Sequence, residues 1–314
     1  MDNIALEISH VTKKFKTDFW KKKFTALDDV SFQVPKNSIC GLIGPNGAGK
    51  TTAIKIILGF IKANSGSGKI FGESIENKNT HQHLGYLPEQ AYYYDYLRPV
   101  EFLEFYANLF GIEKKVRDQR IESLLQLVGL ASKKDVRLRG FSKGMLQRIG
   151  IAQALINDPQ LVILDEPMSG LDPLGRKEVK DIILQLKAKG KTVLFSTHIL
   201  SDVETLCDHV VMIVNGKVKA SGLVDQLIQP DVQSFDVLVE KKENLNIPSQ
   251  WGTHVEVRDF ERTTALRLQK TSQINQDSIL SWIKNNHISM VSFVPYKESL
   301  EDILVKTVEA NRHE

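Results

Sequence analysis

"GPNGAGKT", Gly44 to Thr51, decides how the rest of the chain is read. It fits a glycine, four free positions, then Gly-Lys-Ser/Thr. Glycines let the backbone turn so that several N–H groups point inward at one anion. Before it, "SICGLIG" (Ser38 to Gly44) reads as a short, wholly apolar strand. After it, "KTTAIKIILGFI" has helical spacing, with Ile54, Ile57, Leu58 and Ile61 on one face. A helix starting there adds roughly half a positive charge at its N-terminus. Lys50 is placed to reach outer phosphates, and the Thr51 hydroxyl to ligate Mg2+. Gly44, Pro45, Asn46, Gly47, Ala48 and Gly49, with Lys50, Thr51 and Thr52, are therefore candidate phosphate-binding residues. With glycine near ~7% of residues, the bare pattern arises by chance in roughly one chain of this length in a hundred.

"LVILDE" (Leu161 to Glu166) supplies a second half-site. Four apolar residues make a buried strand, and Asp165 falls at its C-terminal end, where ligands of such sheets bind. An aspartate there holds Mg2+ directly or through water. Glu166 is then free to orient or deprotonate a water attacking the γ-phosphate. An acid after a strand is commonplace alone; paired with a phosphate loop upstream it reads as functional.

Working outward, "IALEISHV" (Ile4 to Val11) and "ALDDVSFQVP" read as strands, the first half-exposed. The middle reads as helical. Pro99 suits a first helical turn, and Phe102, Phe105, Tyr106, Leu109 and Phe110 form a stripe that Gly111 ends. Ile121, Leu124, Leu125 and Val128 form another, ended by Gly129. From Arg148, helices alternate with buried strands: "RIGIAQALIN", "LVILDE", "GRKEVKDIILQLKAKG", "TVLFST" and "VVMIVNG". That order predicts a mainly parallel α/β sheet with helices on both faces. Composition shifts near "LVDQLIQPDVQ", beyond which "SFDVLVE", "HVEVRD", "ALRLQ" and "ISMVSFV" read as strands and "INQDSILSWIKNN" as a helix. The expected domains are 1–228, with a helical subdomain at about 91–150, then a small α+β domain at 229–306 and a tail at 307–314.

The chain has 314 residues, 41 basic and 38 acidic, a net charge of +3. That balance does not favour nucleic acid as a partner. The local basic run "KKFKTDFWKKKF" (Lys13 to Phe24) reads as a solvated loop, with contact to acidic lipid headgroups as the alternative. Cys40 and Cys207 sit in apolar runs without ligand spacing, so buried thiols are expected. No apolar stretch approaches the roughly 20 residues that cross a bilayer. With no secretory pattern at the N-terminus, the chain is read as cytoplasmic.

In order along the chain stand "GPNGAGKTT", "YLPEQ", "FSKGM", "LVILDE", "SGLD" and "STH". With these six motifs, residues 4 to 225 resemble an ATP-binding-cassette (ABC) ATPase. "GYLPE", "ILSDVE" and "ESLEDILVKTV" resemble the branch serving ABC-2-type exporters with separate small permeases. The resemblance implies a phosphate-loop NTPase fold with an N-terminal antiparallel β subdomain. It implies MgATP bound between two cassettes paired head to tail, here a homodimer. It further implies attachment to the inner face of the membrane through a permease that the cassette powers.

Several residue roles follow from that resemblance. "FSKGM" (Phe141 to Met145) stands where the family has Leu-Ser-Gly-Gly-Gln. Ser142 and Gly144 match the pair that meets the γ-phosphate across the dimer, while Lys143 and Met145 depart from the pattern. Asp172 matches the loop coupling the two sites, and His198 the histidine that bonds the γ-phosphate. Phe15 is the choice for stacking on adenine, with Trp20 and Phe24 as rivals. A soluble ATPase acting on ribosomes or DNA is the alternative, although such relatives carry two cassettes or a coiled-coil insertion. A switch that never hydrolyses is disfavoured by the presence of Glu166 and His198.

"LGYLPEQAYYYDYLRP" (Leu84 to Pro99) holds one further choice. The family commonly ends this strand in a glutamine that ligates Mg2+. Counting from the strand, Glu89 takes that slot, with Gln90 the alternative if the chain bends at Pro88. Strand alternation keeps the two from both aiming inward. Tyr92, Tyr93, Tyr94 and Tyr96 follow in the loop on which family members receive the permease, and suit such an interface.

Overall fold

The computed structural model describes residues 3–16, 23–228, 232–241, 245–297 and 299–310. These divide into two compact units, residues up to Val224 with Lys306 onward, and Asp225–Val305.

In the first unit, β1 (Ile4–Lys16) and β2 (Lys23–Pro35) form an antiparallel ribbon. β3 (Ile39–Ile43) leads into the phosphate loop and α1 (Lys50–Ile57). β4 (Ser65–Ile70) and β5 (Glu73–Ser74) complete an antiparallel sheet in the order β2-β1-β4-β5. β6 (Leu84–Leu87) precedes three helices, α2 (Pro99–Leu109), α3 (Lys114–Leu127) and α4 (Lys143–Ala154). The chain then alternates through β7 (Leu161–Leu164), α5 (Pro173–Ala188), β8 (Thr192–Thr197), α6 (Leu200–Leu206), β9 (His209–Val214) and β10 (Lys217–Leu223). α7 (Val224–Leu227) is a single turn.

The second sheet runs β10-β9-β3-β8-β7-β6 and is parallel except for its edge strand β10. Every residue of β3, β7 and β8 is buried, because helices cover both faces and leave no side of these strands to water. The apolar runs of the sequence have this cause. β3 lies between β8 and β9, so chain order reverses around it, and loops leaving β3, β7 and β8 open at the same edge.

Two local expectations differ from the structure. α1 ends at Ile57, where a helix to Ile61 was expected; Gly59 at φ 70° breaks it, and Ile61 packs on the core from outside the helix. On α2 the buried residues are Pro99, Phe102, Leu103 and Ala107. Phe105, Leu109 and Phe110 of the expected stripe are 41%, 69% and 50% exposed. α2 packs on α3 and α4 with Phe102 buried beside Leu103 and Ala107, which leaves Phe105, Leu109 and Phe110 outward. The stripe Ile121, Leu124, Leu125 and Val128 is buried throughout. Both cysteines are free thiols, Cys40 buried and Cys207 half-buried, and burial pushes the Cys40 thiol up to about 12.

In the second unit, β11 (Val232–Glu240), β12 (Val255–Asp259), β13 (Thr263–Gln269) and β14 (Met290–Lys297) pair antiparallel in the order β12-β13-β11-β14. α8 (Gln276–Asn285), capped by Asn275 and Ser278, lies before β14, and α9 (Leu300–Ala310) follows it. Phe235, Val237, Leu266 and Leu268 alternate onto one sheet face and form a core with Trp251, Ile279 and Trp282. On the other strand positions, Arg267 grips Asp236 with two hydrogen bonds of 2.8 and 2.9 Å. That grip holds the Asp236 carboxyl below its usual range.

Candidate functional site

The loop Gly44 to Gly49 keeps its course through two glycines. A Cβ on Gly44, at φ 151°, would stand 2.0 Å from the Ile213 carbonyl oxygen of β9. One on Gly49, at φ 112°, would stand 2.6 Å from that of Ala26. Neither position admits a side chain without moving backbone. Gly49 is also the N-cap of α1 and offers no side chain to the helix, so no side chain caps its first turn. That turn opens on a cleft of about 500 Å3, lined among others by Asn46, Gly47, Lys50, Thr51, Thr52, Glu89, Glu166 and His198.

Lys50 is almost buried and its ammonium donates to the carbonyls of Gly44 (2.7 Å) and Pro45 (3.3 Å). Glu166 Oε1 lies 3.7 Å from it. Burial lowers the Lys50 pKa, and the Glu166 carboxylate opposes that shift. Glu166 Oε2 lies 2.9 Å from His198 Nδ1, so one carboxylate spans the lysine of the phosphate loop and the histidine after β8. Glu166 itself sits at φ 49°, a left-handed conformation few non-glycine residues adopt. Asp165 is 1% exposed and lies behind the cleft, its N–H donating to the Leu87 carbonyl at 2.8 Å.

Ser142 is the N-cap of α4, its hydroxyl accepting from the Met145 N–H at 3.3 Å. Asp172 likewise caps α5, accepting from Gly175 N–H at 3.0 Å. Neither residue nor Gly144 lines the cleft that holds Lys50. A Cβ on Gly144 would meet nothing closer than the Gly175 Cα at 3.9 Å, so packing within the chain does not demand glycine there. The Lys143 ammonium lies over Gly170 of the "SGLD" loop, where a Cβ would come within 2.2 Å of it.

β6 ends at Leu87, so Pro88, Glu89 and Gln90 lie in a bend beyond the strand. Strand alternation therefore does not set their directions; the bend does. Glu89 lines the cleft. Phe15 and Phe24 face one another across the β1–β2 ribbon, and Phe24 lines the cleft while the Phe15 ring carries the Lys13 ammonium 5.1 Å from its centroid. Trp20 lies outside the described residues.

Two residues at the site stand inside quoted motifs, Ser169 opening "SGLD" and Ser196 opening "STH", yet neither was given a role from the sequence. Ser169 lines the cleft. Ser196, fully buried on β8, donates to Asp165 Oδ1 at 2.5 Å and accepts from Glu166 N–H at 2.9 Å. Its place two residues before His198 in "STH" was the available cue.

Anion-seeking backbone, a lysine and a carboxylate–histidine pair at a switch point define the class, a nucleotide-hydrolysing phosphate-loop protein. Known proteins identify the family within it. Residues 27–169 match the ABC transporter family model. An uncharacterized ABC transporter ATP-binding protein of Synechocystis is 48% identical over 75% of this chain and 67% of its own length. The bacitracin transport ATP-binding protein BcrA of Bacillus licheniformis is 34% identical, over 90% of this chain and 92% of its own. A solved structure described as the ATP-binding subunit of an ABC transporter matches with a TM-score of 0.62 at 34% identity, covering 71% of this chain and 91% of that one. The chain belongs to the ATP-binding proteins of ABC transporters and is an ATPase. Subunits of this kind dimerise and work with membrane permeases. Among the described residues no helix is long and apolar enough to cross a membrane.

Proposed function

We propose that this chain is the energising subunit of an exporter whose permease is a separate chain. It acts as a homodimer of head-to-tail cassettes on the inner face of the membrane. The observation that carries the hydrolytic part is the Glu166 carboxylate set between Lys50 and His198 in the cleft of the phosphate loop. Water attacks the γ-phosphate in line, and catalysis comes from positioning and charge neutralisation. Glu166 orients the water and takes its proton, while Lys50 and His198 hold the γ-phosphate. The cleft's oxygen groups, Thr51 and Glu89 with Asp165 behind, are hard ligands that fit Mg2+ and would hold it. Held by these residues, Mg2+ would supply neutralisation of the charge that develops on the phosphate.

Ser142 and Gly144 serve the nucleotide of the opposite cassette, and Asp172 couples the two sites. Support for this lies in their absence from the lining of the chain's own cleft and in the room a Cβ would have at Gly144, 3.9 Å from Gly175 Cα. Adenine stacks at the Phe15–Phe24 end of the β1–β2 ribbon, with Phe24 on the cleft side.

An exposed aromatic cluster supports the permease. Tyr92 is 87% exposed and Tyr96 61% exposed, Tyr94 meets Phe105 at 5.5 Å, and Leu109 and Phe110 extend the same apolar surface along α2. Tyr93 alone turns inward, against Phe102 at 5.8 Å. A patch of this kind marks a protein contact. A relative 35% identical and named a Nod factor export ATP-binding protein, from Ralstonia nicotianae, favours export as this chain's work. The unit Asp225–Val305, which contains most of the small domain expected at 229–306, is an accessory domain of the exporter branch. Tagged chain purified from membranes is expected to bring down a polytopic membrane protein. Recovery of ribosomes or DNA in its place would overturn the transporter reading.

A further inference from the structure

We propose that Ser196 is a positioning residue for hydrolysis, holding the Glu166 backbone and the Asp165 carboxylate in their working arrangement. The Ser196 side chain lies on β8, two positions before His198, and is completely buried. Its hydroxyl uses both of its capacities at once. It donates to Asp165 Oδ1 at 2.5 Å and accepts from the Glu166 N–H at 2.9 Å.

Both partners need what it gives. Glu166 occupies φ 49°, a conformation that persists in a glutamate only where its surroundings over-determine it. That turn of the backbone is what lets the Glu166 carboxylate reach Lys50 at 3.7 Å and His198 at 2.9 Å. Without the Ser196 oxygen, a buried Glu166 N–H loses its acceptor and the reason to hold that turn weakens. Asp165, at 1% exposure, would lose its hydroxyl donor in the same step. One hydroxyl thus links the residue read as base, the residue read as the metal-side acid and the strand that carries the histidine. Ser196 does not line the cleft, so it acts through Glu166 and Asp165.

This assignment rests on the reading of Glu166 as the base, and the test separates the two. Ser196→Ala, Ser196→Thr, Ser196→Val and Glu166→Gln are compared in the form of the protein that hydrolyses ATP. Both kcat and affinity for a fluorescent ATP analogue are measured. Ser196→Ala is expected to lower kcat by ~10- to 100-fold while affinity stays within about threefold. Threonine and valine share one shape and differ in the hydroxyl, so the threonine variant should recover most of the rate and the valine variant should not. Wild-type turnover in Ser196→Ala beside an inactive Glu166→Gln overturns the positioning role. Equal rates in the threonine and valine variants also overturn it, whether or not the alanine variant folds. Normal turnover in Glu166→Gln removes the base reading itself, and the role of Ser196 with it.

Discussion

Around the phosphate loop, Lys50, Asp165 and Glu166 are each less than a tenth exposed, and each has a hydrogen-bonding or ionic partner within the chain. At "FSKGM" the picture is reversed. Ser142 and Lys143 are exposed, and Gly144 is half-buried with room for a Cβ. Both loops open a helix, α1 and α4, yet the charged side chains gathered about the first are buried while Ser142 and Lys143 at the second are exposed. The contrast shows where each half obtains its order. The phosphate side is pre-organised by folding, with Lys50 already set against the Glu166 carboxylate. The bare loop is read as awaiting the nucleotide of a second cassette.

Lys50→Ala should break the phosphate side most severely. The loss of a charge-assisted contact to phosphate is expected to weaken ATP binding by ~10- to 100-fold and with it hydrolysis, as equilibrium binding of a labelled nucleotide would reveal. Unchanged affinity would contradict the loop assignment. Glu166→Gln should keep binding and slow turnover by ~10²- to 10⁴-fold, the range for a lost general base. Steady-state rates beside binding constants would decide that case.

On the bare side, Gly144→Glu adds a side chain and a negative charge where folding leaves room. The variant should melt as the wild type does and bind ATP as a single chain, yet hydrolyse ~10²-fold more slowly. A large loss of thermal stability would show that Gly144 is needed for packing after all. The smallest effect on chemistry is expected from Tyr94→Ser with Tyr96→Ser. ATP turnover of the purified chain should stay within about twofold, as for surface changes away from a site. Capture of a membrane protein should fall.

The contrast also governs what could be read before the structure. "GPNGAGKT" and "LVILDE" are legible because phosphate binding and strand burial each impose a short local pattern. Strands of the second unit show in alternation, as Phe235, Val237 and Val239 do. The α2 stripe misled because aromatic residues lie around much of that helix, and α3 and α4 decide which side is covered. β4 is rich in glycine and serine, and β10 alternates only Val218, Ala220 and Gly222 against polar residues, so neither carries a strong apolar period. Ser196 escaped because a hydroxyl in a strand gains its meaning only from β7 lying beside it. Glu89 and Gln90 stayed undivided because the strand ends two residues earlier than alternation requires.

Complementation tests the central claim most directly. Lys50→Ala and Gly144→Glu chains, each inactive alone, are mixed and allowed to pair. If cassettes meet head to tail, a mixed dimer places both lesions at one site and leaves the other site intact. Activity should then return to about a quarter of wild type, since half the dimers are mixed and each keeps one of two sites. A mixture no more active than its separate components would contradict the account.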